Sequence, residues 1–350
     1  MRIRWRSVIL VSFLSFVVAT AAVSSFGPPT PGVRGAVHQF LEGREIFRFD
    51  TFGSEDFWGG QLRLHEAIRT VSPATALAVG LKVDVDALPR KVVNDLQKGR
   101  VDLDDPAVTA FLLQEDAVVG VKGFFEGDEL ASIGISCALC HSTVDDALTP
   151  GVGHRLDGWA NRDLNVGAIV ALAPNLQPFV DVLNAPLPPD DPARVDQEAV
   201  RAVLESWGPG KFDAELVLDG KAFRPPELGG GSAATLLPPA FGLAGVNLHT
   251  WTGWGAVSHW NAFVANLEMH GQGTFFDPRL ADADKFPVAA ANGFDDVRAE
   301  DDLITGKLPA LHFYQLALPA PQAPSDSFDP VAAERGRILF EGEADCARCH

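Results

Sequence analysis

The sequence contains one short pattern twice, Cys137-Ala138-Leu139-Cys140-His141 and Cys346-Ala347-Arg348-Cys349-His350. The two copies use all four cysteines of the chain. Two thiols at this spacing form thioether bonds to the vinyl groups of one haem, and the histidine that follows supplies an axial ligand to the iron. The pattern therefore predicts two covalent haem c groups, with His141 and His350 as iron ligands.

Two other uses of paired cysteines stay open. A zinc site is one, although zinc ribbons usually place their pairs about 15–20 residues apart, and here about 200 residues separate the pairs. A disulfide or a redox-active thiol pair is the other, and either suits an exported chain. Neither explains why a histidine follows each pair, so a non-haem zinc or disulfide protein ranks behind the haem interpretations.

The composition is that of a folded, water-soluble chain. Of 350 residues, 47% are hydrophobic and 21% are charged, which argues against intrinsic disorder and against a polytopic membrane protein. The formal net charge is −18. Because nucleic-acid binding is driven by a basic surface, this charge predicts that nucleic acid is not a partner.

The start of the chain has the pattern of a secretory signal. Three arginines within residues 1–6 precede an apolar run over residues 8–18 and the small-residue stretch Ala19-Thr20-Ala21. We expect a signal peptide over residues 1–24 and a periplasmic, exported protein. The run is short for a spanning helix. An uncleaved N-terminal anchor is the alternative, and no other segment is predicted to span a membrane.

The pattern along the chain predicts a mainly α protein with tandem cytochrome c-like haem domains, an additional helical N-terminal segment and an insertion. The helical N-terminal segment is expected over residues 25–120. The first haem domain follows over 121–280, with the insertion at 165–235. A connector with a Pro-rich linker covers 281–328, and a second cytochrome c domain starts over 329–350 and is truncated after its haem motif.

Two local observations support this division. Asp329-Pro330 follows the Pro-rich linker and has the arrangement of a helix N-cap with proline at the first helical position. A stretch Phe124-Phe125-Glu126-Gly127 precedes the first haem motif, and the similar Leu339-Phe340-Glu341-Gly342 precedes the second. The similarity predicts two related units. The second haem is expected to be held loosely or lost, because one helix cannot bury it.

With two haem motifs, an export signal and a tandem arrangement, the chain resembles the bacterial dihaem cytochrome c peroxidase superfamily. That superfamily includes methylamine-dehydrogenase-maturation enzymes and more distant rubber-oxygenase-like cytochromes. The resemblance covers residues 137–162, 237–271 and 329–350. In the family, Gly-His with Arg and Asn follows the peroxidatic haem motif, and this chain has Gly153-His154 and Asn161-Arg162. The resemblance implies that His154 is the sixth iron ligand.

The resemblance also implies two catalytic candidates. Where the family has Trp-Asp-Gly-Arg and later Glu-Met, this chain has Trp251-Thr252-Gly253-Trp254 and Glu268-Met269. Trp251 would lie near the electron path, and Glu268 would act as acid and base beside bound peroxide. Apart from the resemblance, His249 lies in a Gly-rich loop beside tryptophans and is a second candidate for the sixth ligand.

We therefore expect an exported dihaem c-type cytochrome that transfers electrons through covalently bound haem. A dihaem peroxidase-like or oxygenase-like oxidoreductase that reduces hydrogen peroxide is the alternative, so the sequence leaves open whether the chain is an enzyme. The expected partner is a redox protein, either a small cytochrome or a cupredoxin. The sixth ligand of the first haem separates the two interpretations, because only an open coordination position admits peroxide.

Overall fold

The structure, a computed structural model, describes residues 31–231, 233–250 and 252–348. The signal peptide predicted over residues 1–24 lies outside these ranges. Of the residues that the structure describes, 44% are helical and 12% lie in strands, and the strands form small scattered sheets. The prediction of a mainly α protein is therefore wrong, because the segments around the first haem motif are built from short β-hairpins.

The helices are short apart from the first. In chain order they are α1 Pro31–Phe49, α2 Leu64–Ile68, α3 Pro73–Ala78, α4 Arg90–Gln97, α5 Pro106–Gln114, α6 Ala138–His141, α7 Val166–Val170, α8 Gln177–Asn184, α9 Gln197–Ser206, α10 Val257–Phe263, α11 Pro287–Asn292, α12 Leu308–Ala317 and α13 Pro330–Glu341. Two π-helical turns are Asp56–Gln61 and Val264–Glu268. The 3-10 turns are Val85–Ala87, Lys221–Phe223, Pro226–Leu228, Pro278–Ala281, Thr305–Lys307 and Cys346–Arg348.

The strands pair in twos. They are β1 Val83–Asp84, β2 Val121–Glu126, β3 Glu129–Ile135, β4 Ser142–Val144, β5 Val152–Gly153, β6 Arg155–Asp157, β7 Lys211–Phe212, β8 Thr235–Leu236, β9 Thr274–Phe276 and β10 Asp296–Arg298. β1 pairs with β5 in parallel. The β2–β3, β4–β6, β7–β8 and β9–β10 pairs are antiparallel.

The similarity between residues 124–127 and 339–342 does not extend to their structure. Phe124 and Phe125 lie in β2, whereas Leu339 and Phe340 lie in α13. Gly127, at φ +64°, makes the turn of the β2–β3 hairpin, where a residue with a side chain would be strained. The aromatic residues before a Gly-Asp turn were thus a hairpin signal rather than the end of a helix.

One core crosses the predicted domain boundaries. Its buried apolar residues run from Phe57 to Ala289 and include Leu112 from the predicted N-terminal segment and Leu204 from the predicted insertion. A smaller cluster joins α1 and α12 to the haem motif through Phe47, among others. The predicted N-terminal segment and insertion therefore pack together with the first haem domain.

Helices α1 and α12 pack closely along each other. A Cβ on Gly43 of α1 would lie 2.0 Å from the carbonyl oxygen of Ala310, so only glycine permits this approach. The ring of Phe40 then meets that of Tyr314 edge-on, at 5.0 Å between centroids. The packing brings Tyr314 to the hairpin that follows the first haem motif.

The chain after α12 is exposed. Residues 319–328 are irregular and exposed. The Asp329 side chain accepts hydrogen bonds from the amides of Val331 and Ala332, which confirms the predicted N-cap. No residue of α13 is buried. Among the helices that the structure describes, none is long and apolar enough to cross a bilayer.

Candidate functional site

The first haem motif forms a single helical turn between two strands. β3 ends at Ile135, Cys137 precedes α6, and His141 is the last residue of α6 before β4 begins. Residues three apart on a helix lie on the same face, so Cys137 and Cys140 point to the same side. Both thiols and the His141 imidazole line one large cavity. The structure therefore brings together the three residues that are predicted to bind the first haem.

The motif turn depends on Gly120, which lies in the turn before β2. The Ser136 amide donates to the Gly120 carbonyl at 3.0 Å. A Cβ on Gly120, whose φ is +76°, would lie 2.0 Å from the Leu139 backbone nitrogen. Only glycine allows the chain to approach the motif this closely.

The segment after the motif, around Gly158 and Asn161, forms hydrogen bonds with the backbone of the motif. The Gly158 amide donates to the His141 carbonyl at 2.8 Å, and the Asn161 amide donates to the Cys140 carbonyl at 2.9 Å. The buried Asn161 side chain also donates to the Gly80 carbonyl. The segment that contains Gly158 and Asn161 thus supports the backbone of the first Cys-x-x-Cys-His motif.

Asp157 ties the motif to two helices. It accepts hydrogen bonds from Ser142 at 2.8 Å, from the Arg48 guanidinium at 2.6 Å and from the Tyr314 hydroxyl. Ser142 follows His141 directly, whereas Arg48 lies on α1 and Tyr314 on α12. Burial and the Asp157 charge raise the pKa of Tyr314, so the phenol remains a donor at neutral pH. This network holds the position of the residue next to His141.

The cavity is large and mainly apolar. Its volume is about 1260 Å³, more than the roughly 300–1,000 Å³ typical of small-molecule sites. Leucine, isoleucine, valine and aromatic side chains form most of its wall, and examples are Trp58, Leu64, Ile133, Val166, Trp254 and Phe263. A site of this size and polarity suits a flat, largely hydrophobic cofactor.

One hydrogen bond determines which His141 nitrogen is free. The Nδ1 atom lies 3.0 Å from the Pro238 carbonyl oxygen. A carbonyl oxygen can only accept, so Nδ1 carries the proton and Nε2 keeps its lone pair. Burial lowers the pKa of His141, which favours the neutral imidazole. A neutral imidazole oriented by its second nitrogen is the form that binds a metal.

The cysteines favour an uncharged sulfur. Burial raises the pKa of Cys137 and that of Cys140 to about 12. The thiolate is the form that binds zinc and attacks disulfides, and here it is disfavoured. A thioether carries no charge and fits this environment. Both thiols are unbonded, and among the described residues no group of three or more His, Cys, Asp or Glu side chains is arranged to hold a metal ion.

Two polar atoms on the cavity wall lack protein partners. The indole Nε1 of Trp260 and the Oε1 of Glu268 are buried without a hydrogen bond to any described residue. Buried polar groups are normally satisfied, so such atoms indicate that a ligand or water completes the site. Trp260 and Glu268 thus add two polar side chains to a mainly apolar wall.

Glu268 faces the cavity at the end of the second π-helical turn. Burial raises its pKa to about 8, and the charge of Asp213 adds to the shift. Asp213 is itself buried, and burial raises its pKa to about 6. At pH 7 the Glu268 side chain is therefore mostly a neutral carboxylic acid, which can donate a proton into the cavity.

The two candidate sixth ligands lie in different places. His249 lines the cavity, and its Nε2 lies 3.0 Å from the Val246 carbonyl, which leaves Nδ1 as the lone-pair nitrogen. His154 is not among the lining residues, and its Nδ1 is paired with Asp86 at 2.9 Å on the surface. The structure does not bring His154 to His141. The Met269 side chain is buried and also lines the cavity.

Three predicted site residues, Trp251, Cys349 and His350, lie outside the residues that the structure describes. Of the second motif, Cys346 belongs to a 3-10 turn without buried residues.

Sequence reasoning missed the aromatic wall and the Pro238 carbonyl. Trp254 stacks on Phe286, at 5.4 Å between ring centroids, and meets Trp260 edge-on. The Arg279 guanidinium covers the Trp254 ring at 4.4 Å. The density of tryptophans over residues 251–260 was a usable signal for this wall. A backbone carbonyl leaves no such signal.

The two thiols of the motif, the oriented imidazole and the apolar wall together fit a haem joined to two cysteines. No protein-family model, no curated protein and no solved structure matches this chain.

Proposed function

We propose that the large cavity holds one haem c, joined to Cys137 and Cys140 and ligated by His141, and that the protein is an exported electron-transfer cytochrome. The observation that carries the proposal is the meeting of these three side chains at one apolar cavity, with the His141 Nε2 left free by Pro238. When bound, such a group cycles between Fe(III) and Fe(II).

The residues of this chain would tune and protect that cycle. Pro238 holds the His141 ring in one orientation, which strengthens it as a ligand. The apolar wall excludes water and disfavours the more highly charged oxidation state. We further propose periplasmic location and a redox partner protein, a small cytochrome or a cupredoxin. Because the chain carries a net charge of −18, a basic docking face on that partner would favour association.

The proposal is tested by measuring covalent haem in the exported protein. We expect a c-type absorption band in alkaline pyridine that accounts for at least one haem per chain, because the first motif attaches one and the second haem is held loosely or lost. The haem should stay with the polypeptide in acidic acetone, since thioether bonds survive extraction. Haem that extracts completely, or a purified chain without haem but with bound zinc, would overturn the proposal.

A second function, a peroxidase-like or oxygenase-like oxidoreductase, is supported by one specific observation. Glu268 faces the cavity as a neutral acid with an unsatisfied oxygen, as proton delivery to a bound oxygen species requires. The test is peroxide consumption by the oxidised and the reduced protein, with Glu268→Gln as the comparison. An electron carrier consumes none in either state.

The sixth ligand is tested by a pair of histidine variants of the ferric protein. We propose His249 as this ligand, so His249→Ala should shift the haem spectrum toward high spin and raise the affinity for added cyanide. His154→Ala is the control and should leave the spectrum unchanged, because its imidazole is paired with Asp86 at the surface. If only His154→Ala changes the spectrum, His154 is the sixth ligand. If neither variant changes it, neither histidine is the sixth ligand.

A further inference from the structure

A second, smaller cavity lies between α4 and α5. Its volume is about 290 Å³, and every residue that lines it is apolar. Val92 and Leu96 contribute from α4, and Val108 and Phe111 contribute from α5. A ligand that needs hydrogen bonds would lose them here without replacement, at a cost of about 1–3 kcal/mol or more for each group. The lining therefore selects against polar molecules.

The small cavity shares a wall with the large one. Pro73, Leu77, Val83 and Leu112 line both cavities. One layer of side chains thus separates the two spaces. A molecule held in the small cavity would lie beside the proposed haem site.

Helix α4, which forms the outer wall of the small cavity, makes few buried contacts with the rest of the protein. No residue of α4 is buried, although Val92, Val93 and Leu96 pack against the main core. Segments with few buried apolar residues open locally at low free-energy cost. Outward motion of α4 therefore offers a route of entry that does not pass through the large cavity.

We propose that the small cavity is a binding site for a small, uncharged, apolar molecule of about the size of one aromatic ring. An engineered apolar cavity of about 150 Å³ in another protein stays dry and binds benzene or xenon. The cavity between α4 and α5 is roughly twice as large and equally apolar. Only its nearness to haem rests on the proposed function, because the lining itself is independent of what the large cavity holds.

Benzene is the probe, and two neighbouring valines of α4 provide a matched pair of variants. Val92 lines the small cavity and Val93 does not, although both are half-buried. We expect benzene to raise the unfolding temperature of the haem-loaded protein in a saturable way. Val92→Phe should weaken benzene binding at least about fivefold by occupying the space, whereas Val93→Phe should leave it within about twofold.

Nearness to haem has its own readout. Benzene protons in exchange with the ferric protein should relax faster than in exchange with the reduced low-spin protein, whose iron is diamagnetic, and Val92→Phe should remove this difference. If Val92→Phe fails to fold, Ala107→Phe at an exposed position of the same cavity replaces it. Absence of benzene binding, or equal binding by the Val92 and Val93 variants, would overturn the proposal. If benzene stabilises the protein in a saturable, Val92-dependent way but its relaxation shows no effect of the iron, the binding site stands and haem does not lie beside it.

Discussion

Replacing Cys137 and Cys140 together by alanine should leave the large cavity without covalent haem. The two thiols are the atoms that form thioether bonds, and His141 alone cannot retain the group through denaturation. Pyridine absorption after acidic acetone extraction should fall by one haem per chain. The effect is all or none for that site, because no other cysteine among the described residues lines the cavity.

The matched control is Cys346→Ala with Cys349→Ala. This variant should lose any haem at the second motif and keep the one at the large cavity. Bulky reducing dyes should reduce any haem at the second motif faster than the haem at the large cavity, because α13 and the turn after it bury no residue. An unchanged amount of covalent haem after the Cys137 and Cys140 changes would contradict the assignment of the cavity.

Replacing Glu268 by glutamine should remove a strong pH dependence of stability. The folded pKa of about 8 lies above the ordinary value of 4.5. Between these values the folded state holds a proton that the unfolded state has lost, so the free energy of unfolding falls as pH rises. One proton corresponds to about 1.4 kcal/mol per pH unit. The variant should match the wild type near pH 5 and exceed it increasingly toward pH 8.

The measurement is denaturant unfolding of the haem-loaded protein at several pH values from 5 to 8. Asp213→Asn is the companion variant. This substitution removes a buried negative charge, so it should lower the pKa of Glu268. The free energy of unfolding should then fall less steeply with pH above about pH 6, where Asp213 ionises in the folded protein. A wild-type slope that Glu268→Gln leaves unchanged would show that this carboxyl ionises freely in the folded protein.

The sequence by itself determined the chemistry that lies within a few residues. The Cys137 and Cys140 spacing needs only one helical turn to place both sulfurs on one side, so it is readable locally. The Asp329 cap likewise depends on amides two and three residues away. Such features survive without knowledge of the fold, because their partners are sequence neighbours.

The tertiary structure alone decided what surrounds that chemistry. Pro238 lies 97 residues from His141, yet its carbonyl determines which imidazole nitrogen is free. Asp86 lies 68 residues from His154 and holds that side chain at the surface, away from the cavity. Local periodicity carries no information about pairs so distant in sequence. Chain packing determines them, and it also created the hairpins and the shared core that the helical pattern did not predict.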